Sequence, residues 1–159
     1  MTARAWVVLL LTVASASCGP TVDLTTGLQV LDISSGWLDA GIVQGQNKLV
    51  PSISFKLKNV SDQPLPVVQA NVLFRRVTET EEWGSAFLTV TGSEGLTPGQ
   101  TSNTITATSQ QGYTGSEPRQ DMLKNALFVD GKAEIFAKYA AVQWKKLGDY
   151  PVRRQLIER

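Results

Sequence analysis

The chain has no histidine, one cysteine and two methionines in 159 residues. The commonest general base, metal ligand and pH switch near neutrality is therefore missing. A Ser-His-Asp or Cys-His arrangement cannot be built. A zinc or copper site draws on clustered His, Cys or Met, and beyond residue 17 only Cys18 and Met122 remain. No metal and no other cofactor is expected. Charge of one sign is also scarce: the longest basic runs are the pairs Arg75-Arg76, Lys145-Lys146 and Arg153-Arg154. Nucleic-acid binding rests on clustered phosphate neutralisation, so no nucleic-acid partner is expected. No phosphate-binding loop, dinucleotide fingerprint or calcium loop is present.

No apolar stretch is long enough to span a bilayer, which takes roughly 20 residues. Residues 1–17 instead read as an export signal. Arg4 supplies the positive start, and Ala5 to Val13 form an uncharged apolar core of the length such signals use. The small residues after Val13 suit two cleavages. Ala14-Ser15-Ala16 is an A-x-A site that releases a soluble periplasmic or secreted chain beginning at Ser17. Ser15-Ala16-Ser17-Cys18 resembles the bacterial lipobox, which implies lipidation of Cys18 and attachment to a membrane through acyl chains. With Gly19 after the cysteine, the same resemblance favours the outer membrane. An unpaired cysteine in an oxidising compartment also needs a role, and acylation gives it one. Removing residues 1–17 takes away Arg4 alone among charged residues, leaving 14 of each sign.

Residues 18–26 are short, polar and contain Pro20, as expected of a tether. From Gly27 to Arg159 the pattern is that of one β-sandwich domain. Leu28, Val30 and Ile33 begin a strand expected to end at Ser34-Ser35-Gly36. Val50 to Lys58 places Ile53, Phe55 and Leu57 on one face and Ser52, Ser54, Lys56 and Lys58 on the other. Val68, Ala70, Val72 and Phe74 repeat at the same period. Ala86 to Thr91 and Asn103 to Thr108 are further strands. Ser116, Pro118 and the spacing of Met122, Leu123, Ala126 and Leu127 predict one short helix near residues 117–127. Lys132 to Lys146 suits a helix or a strand, and the alternation of Ile135, Ala137 and Tyr139 after Asp130-Gly131 favours the strand. Leu147 to Pro151 reads as a turn into a last strand from Val152 to Ile157. About seven to nine short strands at 8 to 12 residue intervals give an all-β fold, an antiparallel β-sandwich.

Phe55-Lys56-Leu57-Lys58-Asn59-Val60-Ser61-Asp62-Gln63-Pro64-Leu65, the strand with Val72 and Phe74 after it, and the turn Leu96-Thr97-Pro98-Gly99-Gln100-Thr101 resemble the FxLYD-like and related immunoglobulin-like domains of bacterial envelope proteins. The resemblance spans residues 55–101, with Val72-Leu73-Phe74-Arg75-Arg76 where the family's own F-x-L-Y-D would stand. It implies a small envelope domain, an immunoglobulin-like antiparallel β-sandwich without known catalysis. Asn59-Val60-Ser61 is a formal glycosylation sequon, read here as a hairpin turn.

Candidate interaction residues are few. Tyr113 lies between Gly112 and Gly115 just before the helix, either projecting as an interface anchor or packed on the helix end. Trp37 and Trp83 sit in turn-like surroundings, as core, as sandwich cap or as stacking platforms for a ligand. The expected function is that of a non-enzymatic envelope lipoprotein, a structural or protein-interaction module whose partner is another envelope protein. The alternative is a periplasmic binding protein for a small ligand, peptide or glycan using exposed Trp and Tyr. Hydrolysis by a carboxylate pair is chemically open, but the spacing of Glu79, Glu81, Glu82, Glu94, Asp121, Asp130 and Glu134 singles out no pair.

Overall fold

The computed structural model describes residues 21–157; residues 1–17, expected to be an export signal, and Cys18 lie outside them. Strands β1 (Leu28–Val43), β2 (Gln46–Asn59), β5 (Ile105–Thr108), β6 (Tyr113–Gly115) and β9 (Leu156–Ile157) form one sheet in the order β5-β2-β1-β9, with β6 also beside β2. Strands β3 (Val68–Arg76), β4 (Gly84–Thr89), β7 (Gly131–Tyr139) and β8 (Lys145–Val152) form the second, in the order β4-β3-β7-β8. Two four-residue helices, α1 (Leu24–Gly27) and α2 (Arg119–Met122), complete the described elements. The fold is all-β, and β1, β2 and β5 facing β4, β3, β7 and β8 follow immunoglobulin-type connectivity. The pairing is antiparallel except between β1 and β9, which run parallel through Trp37↔Leu156 and Leu38↔Ile157.

The alternating residues become the two inner faces. Ile53, Phe55 and Leu57 of β2 meet Val68, Ala70, Val72 and Phe74 of β3 and Ala133, Ile135 and Ala137 of β7, all essentially without exposed surface. Burying one such side chain is worth about 1.5–3 kcal/mol, so these central strands fix the register of both sheets. Asn59 closes the corner between the sheets. Fully buried, its Nδ2 donates to the carbonyls of Gln63 and Leu96, and its Oδ1 accepts from the Ser61 amide and hydroxyl. The turn at residues 59–65 and the turn at 96–100 therefore touch, through the Leu65↔Leu96 bridge and the Gly99 amide on the Asn59 carbonyl. With its side chain buried, Asn59 is a corner residue and offers no glycan attachment.

Four expectations change. The tether ends early: Val22 N donates to Tyr139 Oη at 2.8 Å, Asp23 caps α1 through Thr25 N, and Leu24 is fully buried. Ser34-Ser35-Gly36 is no turn, because β1 runs on through a register shift at Leu31/Ser34 with Asp32 at φ 52°. The helix is a single turn whose N-cap is Pro118, without a side-chain cap, and residues 123–127 continue as turns. Residues 145–152 are strand β8, with Pro151 in an edge strand where one missing N–H costs little.

Candidate functional site

Trp37 sits midway along β1 and is fully buried; its backbone N–H donates to Gln155 O at 2.8 Å. Its indole meets Phe128 edge-on at 4.7 Å, Tyr113 at 5.6 Å and Trp83 at 5.9 Å between ring centroids. The indole Nε1–H has no hydrogen-bond partner. Trp83 precedes β4 and is positioned by its amide on Phe74 O. The Arg76 guanidinium lies 4.9 Å from the Trp83 ring and 5.5 Å from that of Tyr113. Such cation–π contacts contribute about 0.5–2 kcal/mol each. Four aromatic residues from separate segments thus plug one end of the sandwich. Trp37 offers no face to a ligand, so the stacking-platform expectation fails there. Its flanking small residues let Gln155 cross the strand and make no turn.

Tyr113 is brought to the plug by Gly112. A Cβ at residue 112 would fall 2.0 Å from Leu49 O, so only glycine lets β6 approach β2 this closely. The Tyr113 hydroxyl donates to Val129 O at 3.1 Å, and its ring packs at a tilt against Trp83 at 4.9 Å and Phe128 at 4.5 Å. Burial pushes its phenol pKa up against the pull of the Arg76 charge. Tyr113 is therefore half-buried against the plug and does not project from a loop. Between β6 and the α2 turn lies a cavity of about 320 Å³ lined by Tyr113, Glu117, Met122, Asn125, Leu127 and Phe128, among others. Glu117 accepts from Asn125 Nδ2, and no cation lines the space. Among the described residues no group of three His, Cys, Asp or Glu could hold a metal.

A second feature lies on the outer face of the β4-β3-β7-β8 sheet, and composition gives no sign of it. Phe87 of β4 is 60% exposed and meets Trp144 edge-on at 5.8 Å, with Lys138 Nζ 5.4 Å from the Trp144 ring. Exposed aromatics on a sheet's outer face are characteristic of contact surfaces. The strand carrying Phe87 is the edge of its sheet. Ala70↔Leu88 and Val72↔Ala86 set the register, and Val90 N bonds Val68 O. By antiparallel alternation Gly84, Ala86 and Leu88 bond β3, while Ser85, Phe87 and Thr89 turn their N–H and C=O outward. The parity of Ala86-Phe87-Leu88 carries this signal: with Ala86 and Leu88 half-buried, Phe87 must face out.

Farther across the same face, Glu134 is buried under three cations. Arg75 Nε is 3.2 Å, Lys132 Nζ 3.1 Å and Lys146 Nζ 3.6 Å from its carboxylate. Burial pushes the carboxyl pKa up, but the hydrogen bonds from Lys132 and Arg75 and the charge of Lys146 together outweigh it and hold it below the usual range. This cluster is an internal charge balance.

These features define a class, an all-β sandwich with a plugged end and an open sheet edge. No family model and no curated protein matches the chain. It is similar to the solved structure of the ApaA protein from Bordetella pertussis, with 13% identity, 80% of this chain and 93% of that one covered, and a TM-score of 0.45. It is also similar to a Northeast Structural Genomics Consortium target, with 11% identity, 82% and 86% covered, and a TM-score of 0.41.

Proposed function

We propose that the protein is a non-enzymatic lipoprotein of the bacterial cell envelope, held to a membrane through Cys18, that acts as a structural or protein-interaction module. Its partner, a protein of the same envelope, adds an extended strand to β4. The carrying observation is the outward row of Ser85, Phe87 and Thr89 on an uncharged edge strand beside Trp144. Strand addition draws affinity from open backbone groups and selectivity from the alternating side chains. The lipid anchor rests on the lipobox-like residues 15–18 and on the lack of any other role for a single cysteine.

The test is capture of the tagged, membrane-extracted chain after mild crosslinking, with mass spectrometry of its N-terminal peptide and of whatever accompanies it. The expected result is an acylated Cys18 and one abundant crosslinked companion, a second copy or another protein, that is lost with Ser85→Lys plus Thr89→Lys. An N-terminal peptide starting at Ser17 overturns the anchor, leaving a soluble periplasmic or secreted chain. Recovery indifferent to the two lysines overturns docking at β4.

The cavity beside Tyr113 supports a second reading, a binding protein for a small ligand, peptide or glycan. Tyr113 supplies a ring face there, and Glu117 with Asn125 supplies hydrogen-bonding groups. Because Tyr113 touches both Trp37 and Trp83, occupancy should alter tryptophan emission. Emission unmoved by envelope glycans and peptides removes this reading.

A further inference from the structure

Sheet edges differ in how well they are guarded against pairing. In the second sheet the edge opposite β4 is β8, which carries Lys145, Lys146, Asp149 and Pro151 and a register shift at Ile135/Phe136. Charge, proline and irregularity of that kind discourage strand addition. The first sheet ends in β5, β6 and β9, of four, three and two residues. β4 has six residues, Gly84-Ser85-Ala86-Phe87-Leu88-Thr89, with no charge, proline or register shift. Among the described residues, Ser85, Phe87 and Thr89 find no backbone partner outside the β3 ladder.

The edge also specifies what fits it. An antiparallel strand related by a two-fold axis at Phe87 sets Phe87 against Phe87, Ser85 against Thr89 and Ala86 against Leu88 of the other copy. Aromatic meets aromatic, hydroxyl meets hydroxyl and apolar meets apolar, each a favourable cross-strand pair. No like charges face each other, and a charged strand from elsewhere would find no countercharge on β4. The Phe87–Trp144 contact would extend on both sides into one aromatic row. We infer that the occupant of β4 is a second copy of this chain, the two four-stranded sheets joining into one across a two-fold axis. This deepens the proposed docking at β4 and rests on it. Two-fold pairing is the commonest oligomeric symmetry, and its interface is self-complementary by construction. A six-residue strand pair buries less than the roughly 1,200–2,000 Å² of a stable complex. The dimer is accordingly weak in dilute solution, and anchoring both copies in one membrane raises their effective concentration.

The experiment uses the chain with Cys18→Ser, so that an introduced cysteine is the only thiol, at high micromolar concentration under mild oxidation. A hydrogen-bonded antiparallel pair has Cα atoms about 5.5 Å apart, within the roughly 4.4–6.8 Å that a disulfide spans. Phe87→Cys is expected to crosslink to a dimer at least tenfold faster than Ser85→Cys alone. A mixture of Ser85→Cys and Thr89→Cys chains is expected to give the mixed dimer. In sedimentation, Ser85→Lys plus Thr89→Lys should shift the chain to monomer. Equal crosslinking at residues 85 and 87, or a wild-type chain that stays monomeric, overturns the inference. If Phe87→Cys fails to crosslink while capture of a companion remains sensitive to the two lysines, the occupant is a different protein and the docking proposal stands. If neither responds, both fall.

Discussion

Glu134 shows how one side chain can link stability to pH. Its folded-state pKa lies below that of the unfolded chain, ordinarily roughly 4.3 for glutamate, so the carboxylate stabilises the fold above that value. The contribution disappears as pH falls through the lower, folded value. Charge-assisted hydrogen bonds of this type are worth about 1.5–3 kcal/mol, less where the cations remain partly in water. Glu134→Gln should therefore cost about 1–2 kcal/mol at pH 7, and the gap from wild type should close as pH falls below the ordinary glutamate range. Urea unfolding at neutral and at acid pH measures it; a gap independent of pH would show a packing effect instead. Leu24 poses the complementary case. A tether residue loses nothing on truncation, whereas a fully buried leucine loses about 2–5 kcal/mol as alanine. Leu24→Ala should lower the urea midpoint with the slope unchanged.

Among the elements, the central strands are the most legible. β3 and the second half of β2 bury one face, so their alternation at period two is plain in the sequence alone, whereas the same alternation in β7 competes there with a helical reading of Lys132 to Lys146. β1 and β8 depart from expectation at the same kind of place. Ser34-Ser35-Gly36 and Leu147 to Pro151 are rich in turn formers, but here small residues permit close crossings. Ser35 Oγ donates to Pro151 O, and a Cβ at Gly36 would fall 2.8 Å from Gln155 O. These contacts join residues far apart in the chain and leave no local trace in the sequence. The candidate site is legible only in part. Trp37, Trp83 and Tyr113 stand out in the sequence, but their convergence does not, and Phe87 escapes notice because the alternation of Ala86-Phe87-Leu88 gives its face only once packing has shown which set is buried. β6 supplies a test at this scale. Gly112→Ala would drive a Cβ into Leu49 O, costing about 1–3 kcal/mol as overpacking does. Near-ultraviolet circular dichroism should then lose aromatic signal as Tyr113 leaves the plug; an unchanged spectrum would mean that the strand absorbs the methyl group.

At the scale of the whole molecule, the parallel pairing of β1 with β9 governs the order in which the fold can be completed. Trp37 packs in the core of a strand made early, yet its amide partner is Gln155 and its neighbour across the sheet is Leu156. Everything between those positions must be synthesised before that flank of the core is closed. Until then the half of β1 around Trp37 has an open side, and contacts this distant in sequence are slow to form. A chain in which residues 155–157 have not docked would already hold most of both sheets, but would still carry an unpaired, apolar-backed edge of the sort that sticks to other chains. Completion of the fold thus waits on the docking of residues 155–157, the flank of the core that the rest of the chain cannot close for itself.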